Sequence, residues 1–138
     1  MELSQQQISI IKQSWRSLRG VNPILIAEIF YTKLFTDQPQ LRKMFPTDME
    51  KQYVKLMDML TSIVTRIDRL EEIGEELIAM AERHTGYGAK PAHYIAVGNA
   101  LCWTLEKGLG KSWNKELQNA WVCCFTILSD KMQSASPG

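Results

Sequence analysis

The sequence predicts a single all-α domain, and three observations carry that expectation. Apolar residues recur at spacings of three and four along most of the 138-residue chain, which is the period of one helical face. No stretch alternates apolar and polar residues for long enough to form a strand. Prolines and glycines fall mostly at the joints between periodic stretches, where helices start and stop. One domain is expected over residues 1–138, with 134–138 as a frayed tail.

Each helix can be justified in turn. Ser4 with Gln7 has the pattern of a capping box, and Ile8, Ile11, Trp15 and Leu18 follow on one face. Gly20 ends that helix. Pro23 suits the first turn of the next, whose stripe is Ile24, Ala27, Tyr31 and Leu34. Pro39 opens a short, tight helical turn that delivers Leu41, Met44 and Phe45. After Pro46 and Thr47 a longer helix carries Gln52, Leu56, Met59, Leu60, Ile63 and Ile67. Ile73, Leu77, Met80, Ala81 and His84 mark another, which stops at Thr85-Gly86-Tyr87-Gly88. Pro91 starts a helix with Tyr94, Val97, Leu101 and Leu105, closed by Gly108 and Gly110. Ser112 begins the last one, with Leu117, Trp121, Cys124, Phe125 and Leu128 facing in.

Composition narrows the function. Hydrophobic residues are 45% and charged residues 22%, the balance of an ordinary globular domain. The formal net charge of +1 lacks the basic excess of a phosphate-tracking surface, so nucleic acid is not expected as a partner. No apolar run approaches the roughly 20 residues of a membrane span. The start, Met1-Glu2-Leu3-Ser4-Gln5, does not read as a secretory signal. The 3 cysteines are an odd count, and adjacent Cys123 and Cys124 diverge on a helix. A disulfide framework is therefore not expected, and a cytoplasmic location is.

Three polar residues stand on faces that otherwise point inward. His84, one of only 2 histidines, ends an apolar stripe and reads either as a satisfied core residue or as a metal ligand. Tyr31 and Gln52 share faces with aliphatic side chains, and a buried phenol or amide needs a partner. Each could also sit at the core's rim and reach water or backbone. Together the three are the minimum equipment for a buried metal cofactor with polar groups opposite it. His93 is the other candidate ligand, but its place next to Tyr94 just after Pro91 favours a surface residue.

Four segments, in order, resemble the globins, specifically the bacterial single-domain globins and the haem domains of flavohaemoglobins. They are Phe30-Tyr31 with Leu34-Phe35, Pro39 to Phe45, Gln52 to Met57, and His84 to Tyr94 followed by Val97 to Leu101. The resemblance runs from Ile8 to about Leu128. It implies a globin fold, a three-over-three helical sandwich around a pocket for haem b. It makes His84 the axial iron ligand, sets Phe45 against the porphyrin and Leu56 above the ligand site, and makes Tyr31 and Gln52 hydrogen-bond donors to bound dioxygen. Tyr94 matches a tyrosine that lies near the proximal histidine in flavohaemoglobins. The late carboxylate that accompanies it there has no counterpart, since Asp130 is the only carboxylate after Trp121 and falls too early. Lys55 and Arg83 could reach haem propionates, or stay solvated as most helix cations do.

The resemblance implies reversible binding of dioxygen, nitric oxide and carbon monoxide, for oxygen transport or for nitric oxide detoxification by dioxygenation. A gas sensor or electron-transfer protein is the other class. The chain stops where a flavohaemoglobin's reductase begins, so a separate reductase is the expected partner. The four tryptophans read as packing residues, and the acidic run Asp68, Glu71, Glu72, Glu75 and Glu76 as a solvated corner.

Overall fold

The computed structural model describes residues 2–73 and 91–135. Five α-helices occur among them: α1 (Gln5–Arg19), α2 (Pro23–Asp37), α3 (Glu50–Thr65), α4 (Pro91–Leu109) and α5 (Lys115–Ala135). Short 3-10 helices fill the joints at Pro39–Met44, Ile67–Ile73 and Gly110–Ser112. No strand is present among the described residues. The expected helix bearing Leu77, Met80, Ala81 and His84 lies outside them.

The helix starts follow the sequence signals closely. Ser4 Oγ accepts from the Gln7 amide at 3.1 Å and the Gln7 side chain accepts from the Ser4 amide at 2.9 Å, a complete capping box. Asn22 caps α2 through the Leu25 amide, with Pro23 in the first position, where its missing N–H costs nothing. The last helix departs from expectation. Ser112 closes a 3-10 turn, and α5 begins after Asn114, whose side chain accepts from the Leu117 amide at 2.8 Å. An amide oxygen three residues before an orphan N–H is the better cap, and extended Trp113 separates the two turns.

The helices enclose one core. α2 packs chiefly on α4 and α3, while α1 packs on α5, α3 and α4. Ile11, Leu18, Trp121 and Cys124 are its largest fully buried side chains. Trp15 and Trp121 meet between α1 and α5 with ring centroids 6.3 Å apart, and Trp121 Nε1 donates to Ser14 Oγ at 3.0 Å. Trp103 differs from these two. It is half-buried on α4, with the ammonium groups of Lys33 and Lys107 at 5.4 and 5.5 Å from its ring centre. Asp68 and Glu72 are exposed, as the acidic corner predicts, and Asp68 also reaches Lys12 of α1 at 3.6 Å. No described helix is long and apolar enough to cross a membrane.

Candidate functional site

Two helices and one corner build the site. α2 turns Ala27, Phe30, Tyr31 and Leu34 into the core, and Tyr31 is only 5% exposed. α3 enters beside it, bringing half-buried Gln52 near its start and buried Leu56 one turn later. Gln52 Nε2 donates to Tyr31 Oη at 3.1 Å. The two polar residues that the sequence left as separate questions therefore answer each other. That bond gives each of the two groups one partner at an otherwise apolar face.

The direction of that bond matters. Tyr31 oxygen is the acceptor, so its own O–H is left to donate elsewhere. Burial raises the phenol's pKa above its ordinary value, the Gln52 hydrogen bond lowers it and Tyr53 raises it further, with burial the largest cause. Tyr31 is accordingly a neutral donor at physiological pH.

An aromatic cluster holds the ring. Phe30 and Phe45 meet Tyr31 edge-on at 4.9 and 5.5 Å, and Phe35 and Tyr53 lie at 5.8 Å each. Phe45 comes from the corner after the Pro39–Met44 turn, where its backbone is extended (φ −119, ψ 155), and it packs on Phe35 at 5.4 Å. Tyr31 and Phe45 stand out in the sequence, whereas Tyr53 and Arg42 do not. The adjacency of Tyr53 to Gln52 was the available signal for the first. Nothing in the sequence marked the second.

The remaining expected residues are placed as follows. Lys55 is exposed on α3. Tyr94 and His93 are half-buried at the start of α4 and each engages a partner. His84 and Arg83 lie outside the described residues. Behind Leu56 and Phe30, a narrow cavity of about 10 Å³ reaches Leu60, Leu101 and Trp121. That is room for roughly one water molecule, so the helix crossing is essentially filled.

The chemistry of this donor set fits a haem. Among the described residues no three His, Cys, Asp or Glu side chains gather to hold a bare cation. Aromatic and aliphatic walls with two neutral donors suit a flat apolar cofactor and a small polar ligand on it. An all-α domain with Tyr31 and Gln52 on such an apolar face is of the helical class that can hold a haem. The sequence profile of the globins matches residues 28–132, and the chain belongs to the globin family.

Individual relatives agree. A neuroglobin from Tetraodon nigroviridis is 24% identical over 95% of this chain and 91% of its own. The flavohemoprotein of Bacillus subtilis is 26% identical over 93% of this chain, which spans 33% of that longer protein. The structure of a bacterial globin from Campylobacter jejuni superposes with a TM-score of 0.83 at 22% identity, covering 96% of this chain and 95% of that one. The fold is the globin fold, as the sequence predicts.

Proposed function

We propose that this globin holds haem b through His84 and reversibly binds dioxygen, with nitric oxide and carbon monoxide as related ligands, beneath Tyr31 and Gln52. The hydrogen bond from Gln52 to Tyr31 carries the reading. When bound, haem supplies an iron centre that takes a diatomic gas and, with dioxygen, shifts negative charge onto it. Gln52 fixes the phenol as acceptor, and Tyr31 keeps its proton free for that charge. Phe45 would lie against the porphyrin, Leu56 would exclude water from the ligand's side, and Lys55 and Tyr94 would contact the cofactor's margin and proximal side.

Retention of oxygen suits transport, and it also suits dioxygenation of nitric oxide to nitrate. The second use needs an electron supply, for which we propose a separate reductase; similarity to a flavohemoprotein supports this. The free thiols of Cys102, Cys123 and Cys124 fit a reducing compartment, the cytoplasm.

Stopped-flow gas release tests the assignment. A hydrogen bond to a charged acceptor contributes about 1.5–3 kcal/mol, so Tyr31→Phe should speed oxygen release by roughly ten- to a hundredfold. Gln52→Leu should do less, because it removes the partner and not the donor. Carbon monoxide, nearly neutral when bound, should respond weakly to both. Unchanged oxygen release in Tyr31→Phe would remove the phenol from the ligand's side and end this reading.

A further inference from the structure

The corner between the Pro39–Met44 turn and α3 carries three successive backbone carbonyls, at Phe45, Pro46 and Thr47, and all three turn to one side chain. Arg42 Nη1 donates to the Phe45 oxygen at 3.3 Å and to the Pro46 oxygen at 2.9 Å, and Nη2 donates to the Thr47 oxygen at 3.1 Å. The same guanidinium lies 5.5 Å from the centre of the Phe35 ring. Arg42 is half-buried, and among the described residues no carboxylate pairs with it. Its charge is therefore directed at backbone and ring, not at an acidic partner.

This arrangement does something that the corner cannot do for itself. Phe45 is extended, Pro46 has no N–H, and the backbone bond from the Phe45 amide to the Arg42 carbonyl at 3.2 Å is the last of the turn. Beyond it, the chain has no regular ladder to fix where the Phe45 ring points. A planar fork with several donors can hold neighbouring carbonyls and stack on an aromatic face at once, whereas an ammonium is a point charge with no flat face. Phe35, whose ring Arg42 faces, and Phe45, whose carbonyl it holds, both pack against Tyr31.

We infer that Arg42 is a positioning residue for the gas-binding side. It locks the corner so that Phe45 and Phe35 together hold the Tyr31 ring in the orientation that presents its O–H. The inference rests on the proposed role of Tyr31.

The experiment uses the haem-loaded protein and two variants. Arg42→Gln removes charge and fork, while Arg42→Lys keeps the charge and removes the fork. Hydrogen exchange at the Phe45 amide reports on the corner, and oxygen and carbon monoxide release report on Tyr31. In both variants Phe45 exchange should quicken about tenfold and oxygen release about threefold to tenfold, a range normal for a residue acting through packed neighbours. Carbon monoxide release should hardly change. In a Tyr31→Phe background, Arg42→Gln should add no further acceleration of oxygen release. The inference is overturned if Arg42→Lys matches the parent in both measurements. It is also overturned if Tyr31→Phe accelerates oxygen release and neither Arg42 variant does. If Tyr31→Phe itself changes nothing, the functional reading has failed instead, and unchanged Phe45 exchange would then overturn Arg42's hold on the corner as well.

Discussion

Trp121 Nε1 donates to Ser14 Oγ, and Ser14 Oγ donates in turn to the Ile11 carbonyl at 2.9 Å, so a buried polar chain is closed inside the core. Trp15, its neighbour, has a buried Nε1 that finds no hydrogen-bond partner among the described residues. Cys124 shows a third outcome of burial, for it is fully enclosed and its thiol is pushed from 9.0 up to about 12 by desolvation first and by Cys123 second. Tyr31 is shifted in the same direction from 10.0. A group whose folded pKa lies above its unfolded value keeps the folded state favoured below the unfolded value, and that advantage is lost as pH rises toward the folded one. Stability should therefore hold to about pH 9 and decline toward 12, with Cys124 contributing at most about 1.4 kcal/mol per pH unit. Urea melts at several pH values would measure the slope. Cys124→Ala should flatten it above pH 9 even though the substitution lowers stability overall; an unchanged slope would place the titrating groups elsewhere.

At the scale of helices, two glycines that look alike in sequence behave differently. Gly20 was expected to end α1, and it does, but in the ordinary right-handed helical region at φ −67, which any residue adopts. A Cβ there would meet only backbone oxygens at 3.5 and 3.7 Å, ordinary contact distances. Of the two glycines expected to close α4, Gly110 does so just past its end at φ 54, while Gly108 lies inside the helix, one residue before its end. A Cβ on Gly108 would run into Leu18 Cδ1 of α1. Gly20→Ala should then stabilise the fold by about 0.4–1 kcal/mol through the unfolded chain. Gly108→Ala should destabilise it by about 1 kcal/mol, since overpacking at a helix contact outweighs the gain in helix propensity. Thermal melts of the two variants should move in opposite directions. Equal shifts would mean that Leu18 swings aside without cost. Helix faces and caps such as Ser4–Gln7 were legible because their determinants lie within a turn of each other. Gly108 was not, because what makes it glycine is a leucine 90 positions away.

For the whole molecule, the same distinction separates what could be read of the site from what could not. Inward faces carrying Tyr31, Gln52 and Leu56 follow from local period, and Phe45 and the order of the segments from family resemblance. The bond between Tyr31 and Gln52 joins two helices, and the grip of Arg42 is on backbone carbonyls that no residue type advertises. Both needed the assembled fold. Assembly also bears on how a cofactor would act on stability. The aromatic cluster around Tyr31 draws on α2, α3 and the corner between them, so a haem bound against it would tie together elements that the unfolded chain holds apart. A ligand that binds only the folded state stabilises it by mass action, by about 4 kcal/mol at a thousandfold excess over its Kd. For a chain of this size each kilocalorie moves Tm by roughly 3–5 °C, so the haem-loaded protein should melt about 10 °C or more above the haem-free one. If His84 holds the haem as proposed, His84→Ala should remove most of that difference, and His93→Ala should keep it. Melting each protein with and without haemin, alongside its absorbance spectrum, makes the comparison. A His93→Ala variant that loses the haem and its stabilisation, beside a His84→Ala variant that retains both, would transfer the iron to the other histidine.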